Sequence, residues 1–177
     1  MENKTPATET IPKTGGRTGV DEPSRGAADW EDVTARLRDG SGTTWLSVAT
    51  EHGVHTRPIF AAWTGSSFIF ATNPEAAKTK HLQAHDGVSL AIDLGSLHLV
   101  VEGSAARLTE TSDLDRATLA MREVYDWPTE VVGDELDAPY AAPTSGGPPF
   151  QAWELTPAKA IALPTEDQVD PTRFTFD

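Results

Sequence analysis

Short stretches of alternating or continuous apolar residues recur along most of the chain, a pattern typical of β-strands. A helical period interrupts them over 29–38, 74–85 and 113–125. Gly65-Ser66 and Gly95-Ser96 stand between neighbouring stretches as hairpin turns. The order of elements predicts a mainly β, α+β protein, built as a closed antiparallel barrel with helical additions. The predicted strands are 44–50, 54–64 with an interruption at Pro58, 67–72, 88–94, 97–108, 150–156 and 158–163.

Start signals place the second and third helices. Asn73 is a suitable N-cap, and Pro74 then takes the first helical position. Ser112 with Asp115 three positions later has the spacing of a capping box. We therefore expect these helices to begin at 74 and 113.

Two segments lack these periods. Residues 1–28 are rich in Thr, Gly and Pro, so we predict a disordered N-terminal tail and a folded domain over 29–177. Residues 126–149 hold five prolines and a Gly-Gly pair, which indicates an irregular excursion.

Composition excludes several functions. The chain of 177 residues has no cysteine, which excludes disulfides, thiolate metal sites and cysteine nucleophiles. It carries 14 Lys+Arg against 27 Asp+Glu, a net charge of −13, which argues against nucleic-acid binding. Neither a membrane-spanning run nor a secretion signal is recognisable, so we expect a soluble, cytoplasmic protein.

Basic residues are scarce in the first half of the folded part. Between positions 40 and 106 the chain has only Arg57, Lys78 and Lys80. If the strands around 57 and 70 form a hairpin, the helix that follows brings its lysines toward Arg57. Three cations at one place would suit a phosphate group. The alternative is ordinary surface ion pairing with Glu75, Asp86 or Asp93.

The histidines and the catalytic motifs give weaker signals. His81 and His85 have metal-ligand spacing on a helix, but no third ligand accompanies them, so a solvated face is the favoured interpretation. His55 flanks Arg57, and His98 lies in a buried-looking strand. The chain has no nucleophile elbow, P-loop or dinucleotide fingerprint, so we assign no catalytic residue.

Seven motifs in a characteristic order carry a resemblance. The chain resembles the FMN-binding split-barrel superfamily of pyridoxamine 5′-phosphate oxidase-like proteins, especially its small flavin- or deazaflavin-dependent members. The resemblance covers about residues 30–176. The motifs are Trp-Leu-Ser-Val-Ala-Thr at 45–50, His-Thr-Arg-Pro-Ile at 55–59, Phe-Ile-Phe-Ala-Thr-Asn-Pro at 68–74, Lys-Thr-Lys-His-Leu at 78–82, Val-Val-Glu-Gly-Ser-Ala at 100–105, Trp-Glu-Leu-Thr-Pro at 153–157 and Pro-Thr-Arg-Phe at 171–174.

The resemblance implies a six-stranded antiparallel Greek-key split β-barrel that forms a homodimer with flavin at the subunit interface. It implies that Arg57 and Lys78 bind the cofactor phosphate, assisted by Lys80. Thr79 would add a hydroxyl, and Trp153 would come from the partner chain. The isoalloxazine would be lined through backbone contacts by Pro58, Ile59, Phe70, Ala71 and Thr72.

The leading hypothesis is an FMN-dependent oxidoreductase acting on a small molecule, with NADH or NADPH as the candidate electron donor. One alternative is an F420-dependent reductase, whose more acidic cofactor would need an extended basic groove. Another is a flavin or ligand binder without catalysis, such as a sensor. A true pyridoxamine-phosphate oxidase is disfavoured. Such an enzyme must bind a second phosphate, the one on its substrate, and Arg173 is the only arginine after Arg122 that could bind it.

Overall fold

The computed structural model describes residues 4–12, 23–40, 42–142 and 145–177. No helix within these ranges is both long and apolar enough to span a membrane. The helices are α1 (Trp30–Asp39), α2 (Ala77–Ala84) and α3 (Thr111–Tyr125). The strands are β1 (Ala7–Thr10), β2 (Thr44–Thr50), β3 (Gly53–Ile59), β4 (Ala61–Trp63), β5 (Phe68–Thr72), β6 (Gly87–Asp93), β7 (Leu97–Arg107), β8 (Glu130–Val132), β9 (Glu135–Asp137), β10 (Gln151–Pro164) and β11 (Thr172–Thr175).

Nine strands form one antiparallel sheet, in which the order β1-β11-β10-β7-β6-β2-β3 is continuous. The long strand β10 also pairs with β5, which in turn pairs with β4. The expected α+β class, with mostly antiparallel strands, is confirmed. The described ladder ends at β1 and β3, however, and does not close into the expected six-stranded barrel.

The chain leaves one part of the sheet for another at Phe60, between β3 and β4. The Tyr125 hydroxyl, at the end of α3, donates to the Ala61 carbonyl oxygen (3.0 Å) and accepts from the Ala61 N–H (3.1 Å). The Phe60 ring stacks on the Tyr125 ring with centroids 4.5 Å apart. Because Tyr125 satisfies the backbone of Ala61, the chain can change partner strands here without orphaned polar groups. The predicted interruption at Pro58 is therefore two residues too early.

Two hydrophobic cores lie on opposite faces of β5 and β10. Alternate residues of each strand point to opposite faces, so Trp153 and Ala152 enter different cores. The larger core fills the concave side of the sheet and includes Trp30 of α1. The smaller core packs α3 and the β8–β9 hairpin against the other side. This second layer gives the predicted irregular segment its structure, since residues 130–137 form a hairpin there.

The predicted starts of the second and third helices are wrong. Asn73 makes a turn in which its side-chain oxygen accepts from the Glu75 N–H (2.8 Å), and α2 begins only at Ala77. Ser112 lies inside α3, and no side chain caps that helix. Asn and Ser side chains form local turns as readily as caps, so the motif alone does not select between them.

Strand β10 is continuous where two strands were expected. It runs through Pro157, and the register to β7 shifts between Pro157 and Lys159. Gly103 opposes Pro157, and a side chain at 103 would overlap the backbone of Thr156. The glycine therefore permits a close approach at a bulge, which absorbs the proline without ending the strand.

The N-terminal segment differs from the predicted disordered tail where it is described. Residues 7–10 form β1 along the edge of β11, and the Lys4 N–H donates to the Gly65 carbonyl (3.1 Å). The Ala28 N–H donates to the Thr172 hydroxyl (2.8 Å). The remainder of the predicted tail, 1–3 and 13–22, lies outside the described residues. Main-chain pairing with an edge strand orders β1 although all four of its residues are exposed.

Candidate functional site

Strand β3 and helix α2 place basic side chains opposite each other. On β3, Arg57 and His55 pair with the buried residues Leu46 and Val48 of β2, so they lie on the inner side of this strand pair. Helix α2 packs against β2 and carries Lys78 on its half-buried surface. From the sequence, a hairpin of the strands around 57 and 70 was expected to place Arg57 near Lys78. In the structure β3 pairs with β2 instead, and the two residues lie near each other because α2 packs beside these strands.

Arg57 and Lys78 influence each other electrostatically. Burial lowers the pKa of Lys78 from its ordinary value, and the nearby charge of Arg57 lowers it further. Arg57 is exposed and donates one hydrogen bond to its neighbour, the Thr56 carbonyl (2.8 Å). In the described part of the chain, no carboxylate forms an ion pair with either residue. Two unneutralised cations thus face the same space in a strongly acidic protein.

Two sequence-predicted strands leave backbone groups open beside these cations. Strand β3 pairs only with β2 and forms a free edge among the described strands. Strand β4 pairs with β5 only as far as Phe70, so Ala71 and Thr72 have a strand partner on the β10 side alone. Strand β5 ends at Thr72, and the turn made by Asn73 leads from it into α2. Pro58 is exposed on the outer face opposite Trp45, and Ile59 is half-buried.

The other predicted site residues have different surroundings. Lys80 is exposed and pairs with Glu75, with Nζ and Oε2 3.8 Å apart. The Thr79 side chain is fully buried, and its hydroxyl donates to the Asn73 carbonyl (2.7 Å). It also lies 3.1 Å from the Thr72 hydroxyl oxygen. Thr79 is thus engaged in holding the turn before α2, and Lys80 has a neighbour of opposite charge.

Phe70 and Trp153 lie side by side in the larger core. They are directly opposite each other in the β5–β10 ladder, and both are buried. Their side chains do not reach the molecular surface in this chain, so the expected contribution of Trp153 across a subunit contact is not visible in the described structure.

The arrangement also includes two histidines that sequence reasoning did not assign to the site. The rings of His55 and His81 lie with centroids 5.5 Å apart. The signal was present in the spacing, since His55 is two strand positions before Arg57 and His81 is one helical turn after Lys78. From the sequence, His81 was considered only together with His85, which lies four positions later on the same predicted helix. No group of three or more His, Asp or Glu side chains in the described residues is arranged to hold a metal ion.

A second cationic group on the opposite side of β5 has a different environment. Arg116 of α3 forms a two-pronged contact with Glu154, with Nη1–Oε1 at 2.8 Å and Nη2–Oε2 at 3.0 Å. It also bonds to Asp113 (3.2 Å), and Ser67 donates to Glu154. Burial favours a higher pKa for Glu154, but the hydrogen bonds from Arg116 and Ser67 and the charge of Arg116 hold the pKa below its ordinary value. This arginine is neutralised within the protein.

The outer face of the sheet is apolar and exposed in several places. Trp45 and Val54 are 45% and 70% exposed, and Leu163 is 41% exposed. The registers place all three on this face, together with the half-buried Val100 and Ile161. Exposed apolar side chains on one face are a feature of surfaces that contact another molecule, and here they are interspersed with charged groups such as the Lys159–Glu102 ion pair (2.7 Å).

Comparison with known proteins identifies relatives of this arrangement. A family model described as pyridoxamine 5′-phosphate oxidase matches residues 31–163. A search of curated proteins finds no match.

Solved structures share the fold at low sequence identity. A pyridoxamine 5′-phosphate oxidase-related, FMN-binding protein from Nostoc punctiforme is 16% identical with a TM-score of 0.53, covering 85% of this chain and 98% of that one. A FAD-binding protein from Mesorhizobium loti is 14% identical with a TM-score of 0.54, covering 85% and 96%. A conserved hypothetical protein from Mycobacterium tuberculosis is 14% identical with a TM-score of 0.60, covering 83% and 91%. At these identities the likeness is one of fold.

Proposed function

Because the chain belongs to the pyridoxamine 5′-phosphate oxidase family, we propose that it is a flavoprotein that binds FMN between β3 and α2. The observation that carries the proposal is the pair Arg57 and Lys78, which no carboxylate neutralises in the described structure. The descriptions of the Nostoc and Mesorhizobium proteins as FMN- and FAD-binding support a flavin as the ligand.

The residues present fit a phosphate group. A phosphate monoester carries about −1.5 to −2 charges at neutral pH and accepts several charge-assisted hydrogen bonds. Arg57 and Lys78 supply the matching positive charge and donors. Burial and then the charge of Arg57 lower the pKa of Lys78, and an anion beside the two cations would counteract this shift. We assign a weaker, assisting role to Lys80, because Glu75 competes for its charge.

The open backbone edges suit the ring system of the flavin. We propose that Pro58 and Ile59 on β3, and Ala71 and Thr72 on β5, contact the isoalloxazine. Main-chain groups at the end of a ladder have no strand partner to displace. Thr79 contributes by holding the turn that leads to Lys78.

We give Phe70 and Trp153 a supporting role in this site. Both are buried and paired in adjacent strands, so they fix β5 beneath the proposed contacts. A contact of either side chain with flavin would require a rearrangement of the core.

A homodimer through the outer sheet face completes the proposal. Trp45 stands opposite Pro58 on the neighbouring strand, so an interface on this face would lie beside Pro58, one of the proposed isoalloxazine contacts. Removing Trp45 from water would contribute roughly 1.5–3 kcal/mol per subunit. We expect a dimer mass by light scattering, and a monomer for Trp45→Glu. A monomeric wild-type protein would contradict the proposed interface.

The bound flavin would supply hydride or electron transfer, and this chain would supply binding and orientation. We therefore propose a flavin-dependent oxidoreductase for a small-molecule substrate, with NADH or NADPH as donor. Binding without turnover would instead make the protein a flavin carrier or sensor.

Titration of the purified protein with FMN, riboflavin and F420 tests the proposal. Riboflavin has the same ring system as FMN but lacks the phosphate, which makes it the matched ligand control. Two charge-assisted hydrogen bonds at about 1.5–3 kcal/mol each predict FMN binding at least about 100-fold tighter than riboflavin. Equal affinities for the two would contradict the phosphate site. Binding of F420 alone would transfer the protein to the deazaflavin-dependent members. Oxidation of NADH or NADPH by the FMN complex then distinguishes an enzyme from a binder.

A further inference from the structure

His55 and His81 lie between the same two elements as Arg57 and Lys78. The two rings are in contact, with an angle of 49° between their planes. Burial lowers the pKa of His55, and the charges of Arg57, His81 and Lys78 lower it further. Without a bound anion, the surroundings of His55 therefore disfavour its charged imidazolium form.

We propose that His55 and His81 belong to the anion site between β3 and α2, and that the bound phosphate is held together with a proton taken up by His55. The inference rests on the proposed function and specifies how its phosphate site is regulated. A dianion between these residues reverses the sign of the local field, so it favours the charged imidazolium that Arg57 and Lys78 disfavour. The protonated His55 ring then adds a charge-assisted donor to the anion.

The other charged groups around the histidines leave this balance intact. Strand β2 has no titratable side chain over Thr44–Thr50, and the turn after it holds Glu51 and His52. Before α2, Glu75 pairs with Lys80. After α2 come His85 and Asp86. In the described structure, none of these acids forms an ion pair with the two histidines, Arg57 or Lys78.

Proton uptake makes phosphate affinity depend on pH with a definite sign. Affinity rises as pH falls, because a protonated His55 binds the anion better. Each coupled proton changes the dissociation constant by at most about tenfold per pH unit. Phosphate itself gains a proton at about pH 6, so the window from about pH 6.5 to 8.5 isolates the protein groups. Riboflavin binding should be nearly independent of pH across that window.

Calorimetric titration counts the protons directly. We would titrate the full chain with FMN at about pH 7 in buffers of different ionisation enthalpy. The slope of the observed binding enthalpy against the ionisation enthalpy of the buffer gives the number of protons that the complex takes up. For the wild type we expect net proton uptake on FMN binding. H55Q/H81Q should still bind FMN through Arg57 and Lys78, with uptake near zero and a flat affinity profile. H52Q is the matched control, since His52 is exposed in the adjacent turn, and it should behave as the wild type.

Three outcomes decide the proposal. Equal proton uptake in the wild type and in H55Q/H81Q would overturn the coupling and leave FMN binding intact. Near-zero proton uptake by the wild type would also overturn the coupling, and this measurement does not depend on any variant. If FMN does not bind at any pH, the proposed function fails, and inorganic phosphate becomes the probe. A rise in the pKa of the His55 ring with phosphate, followed by NMR, would then support a proton-coupled anion site, and an unmoved value would overturn it.

Discussion

Arg116 and Arg57 carry the same charge in opposite surroundings. Arg116 lies beside the smaller core, and Glu154 and Asp113 engage its guanidinium at 2.8–3.2 Å. Arg57 lies at the edge of the larger core beside Lys78, and within the described residues its guanidinium donates to the adjacent Thr56 carbonyl and to no carboxylate. One site is complete within the chain, whereas the other presents a second cation where an anion would be expected.

The difference separates a structural cation from a binding one. In a chain with 27 acidic and 14 basic residues, carboxylates are abundant. A pair of cations that still lacks a carboxylate partner in the described structure costs electrostatic free energy through repulsion. Arg57 and Lys78 therefore gain from an external anion, whereas Arg116 is already satisfied. Four experiments test this comparison.

The largest effect is expected from removing both open cations. Arg57→Ala with Lys78→Ala should reduce FMN affinity by about 3–6 kcal/mol, or about 100- to 10,000-fold, because two charge-assisted hydrogen bonds are lost. Riboflavin affinity and thermal stability should change little, since neither residue has an acidic partner to leave behind. Fluorescence titration and thermal unfolding measure the two quantities. An FMN affinity equal to that of the wild type would contradict the assignment of the phosphate site to Arg57 and Lys78.

Replacing the satisfied arginine should have the converse result. Arg116→Met leaves the partly buried Glu154 with only the Ser67 hydroxyl, so we expect a loss of about 1.5–3 kcal/mol in the free energy of unfolding. FMN affinity should stay within about twofold of the wild type. Chemical denaturation gives the stability, and Arg116→Met with Glu154→Leu is the control, because removing both charges should restore part of it. Weaker FMN binding with an unchanged free energy of unfolding would contradict the structural role of Arg116 and indicate a binding role instead.

Acid should act selectively on the Arg116 site. The pKa of Glu154 is lower in the folded chain than its ordinary value of 4.5, so its ion pair adds stability above about pH 4.5 and loses it as pH falls through the folded-state pKa. Wild-type protein should therefore lose more stability than Arg116→Met between about pH 6 and 3, by roughly 1–2 kcal/mol. Denaturation curves at several pH values measure the difference. Parallel stability profiles for the two proteins would contradict the assignment.

The smallest effect is expected at Lys80, which is intermediate between the two cases. It lies one position beyond Thr79 on α2, but it is exposed and Glu75 is 3.8 Å away. Exposed ion pairs contribute about 0–1 kcal/mol. Lys80→Ala should therefore change FMN affinity by less than about fivefold and the free energy of unfolding by less than about 0.5 kcal/mol. A loss of affinity as large as that of Lys78→Ala would place Lys80 in direct contact with the phosphate.

Part of the candidate site was predictable because basic residues are rare around it. Arg57 and Lys78 stood out in a long stretch with few cations, and the strand–turn–strand–helix order made their meeting plausible. The difference between Lys78 and Lys80 was not predictable from that argument, since it depends on which face of α2 meets β3. The inward orientation of Thr79 likewise follows from packing, which fixed its hydroxyl on the Asn73 carbonyl.

The fold shows the same division. Local periodicity was sufficient for α1, for the hairpin β6–β7 and for the approximate positions of most other strands, because the alternation of side chains is a property of neighbouring residues. Strands β1 and β8–β9 were missed, since their order comes from edge pairing and from packing under α3. The helix starts at 77 and 111 were also decided by turns that compete with capping.

By itself, the sequence determined the mainly β class, the family and the scarcity of cations from which the phosphate hypothesis follows. Tertiary structure decided where the sheet breaks, because the Tyr125 hydroxyl that satisfies Ala61 comes from 64 residues away. It also decided which cations were neutralised: Arg116 reaches Glu154 across 38 residues, whereas Arg57 lies near Lys78 and His55 and forms no ion pair among the described residues. Charge and periodicity are local properties of a chain, but the partners of a charge are set by contacts between distant segments.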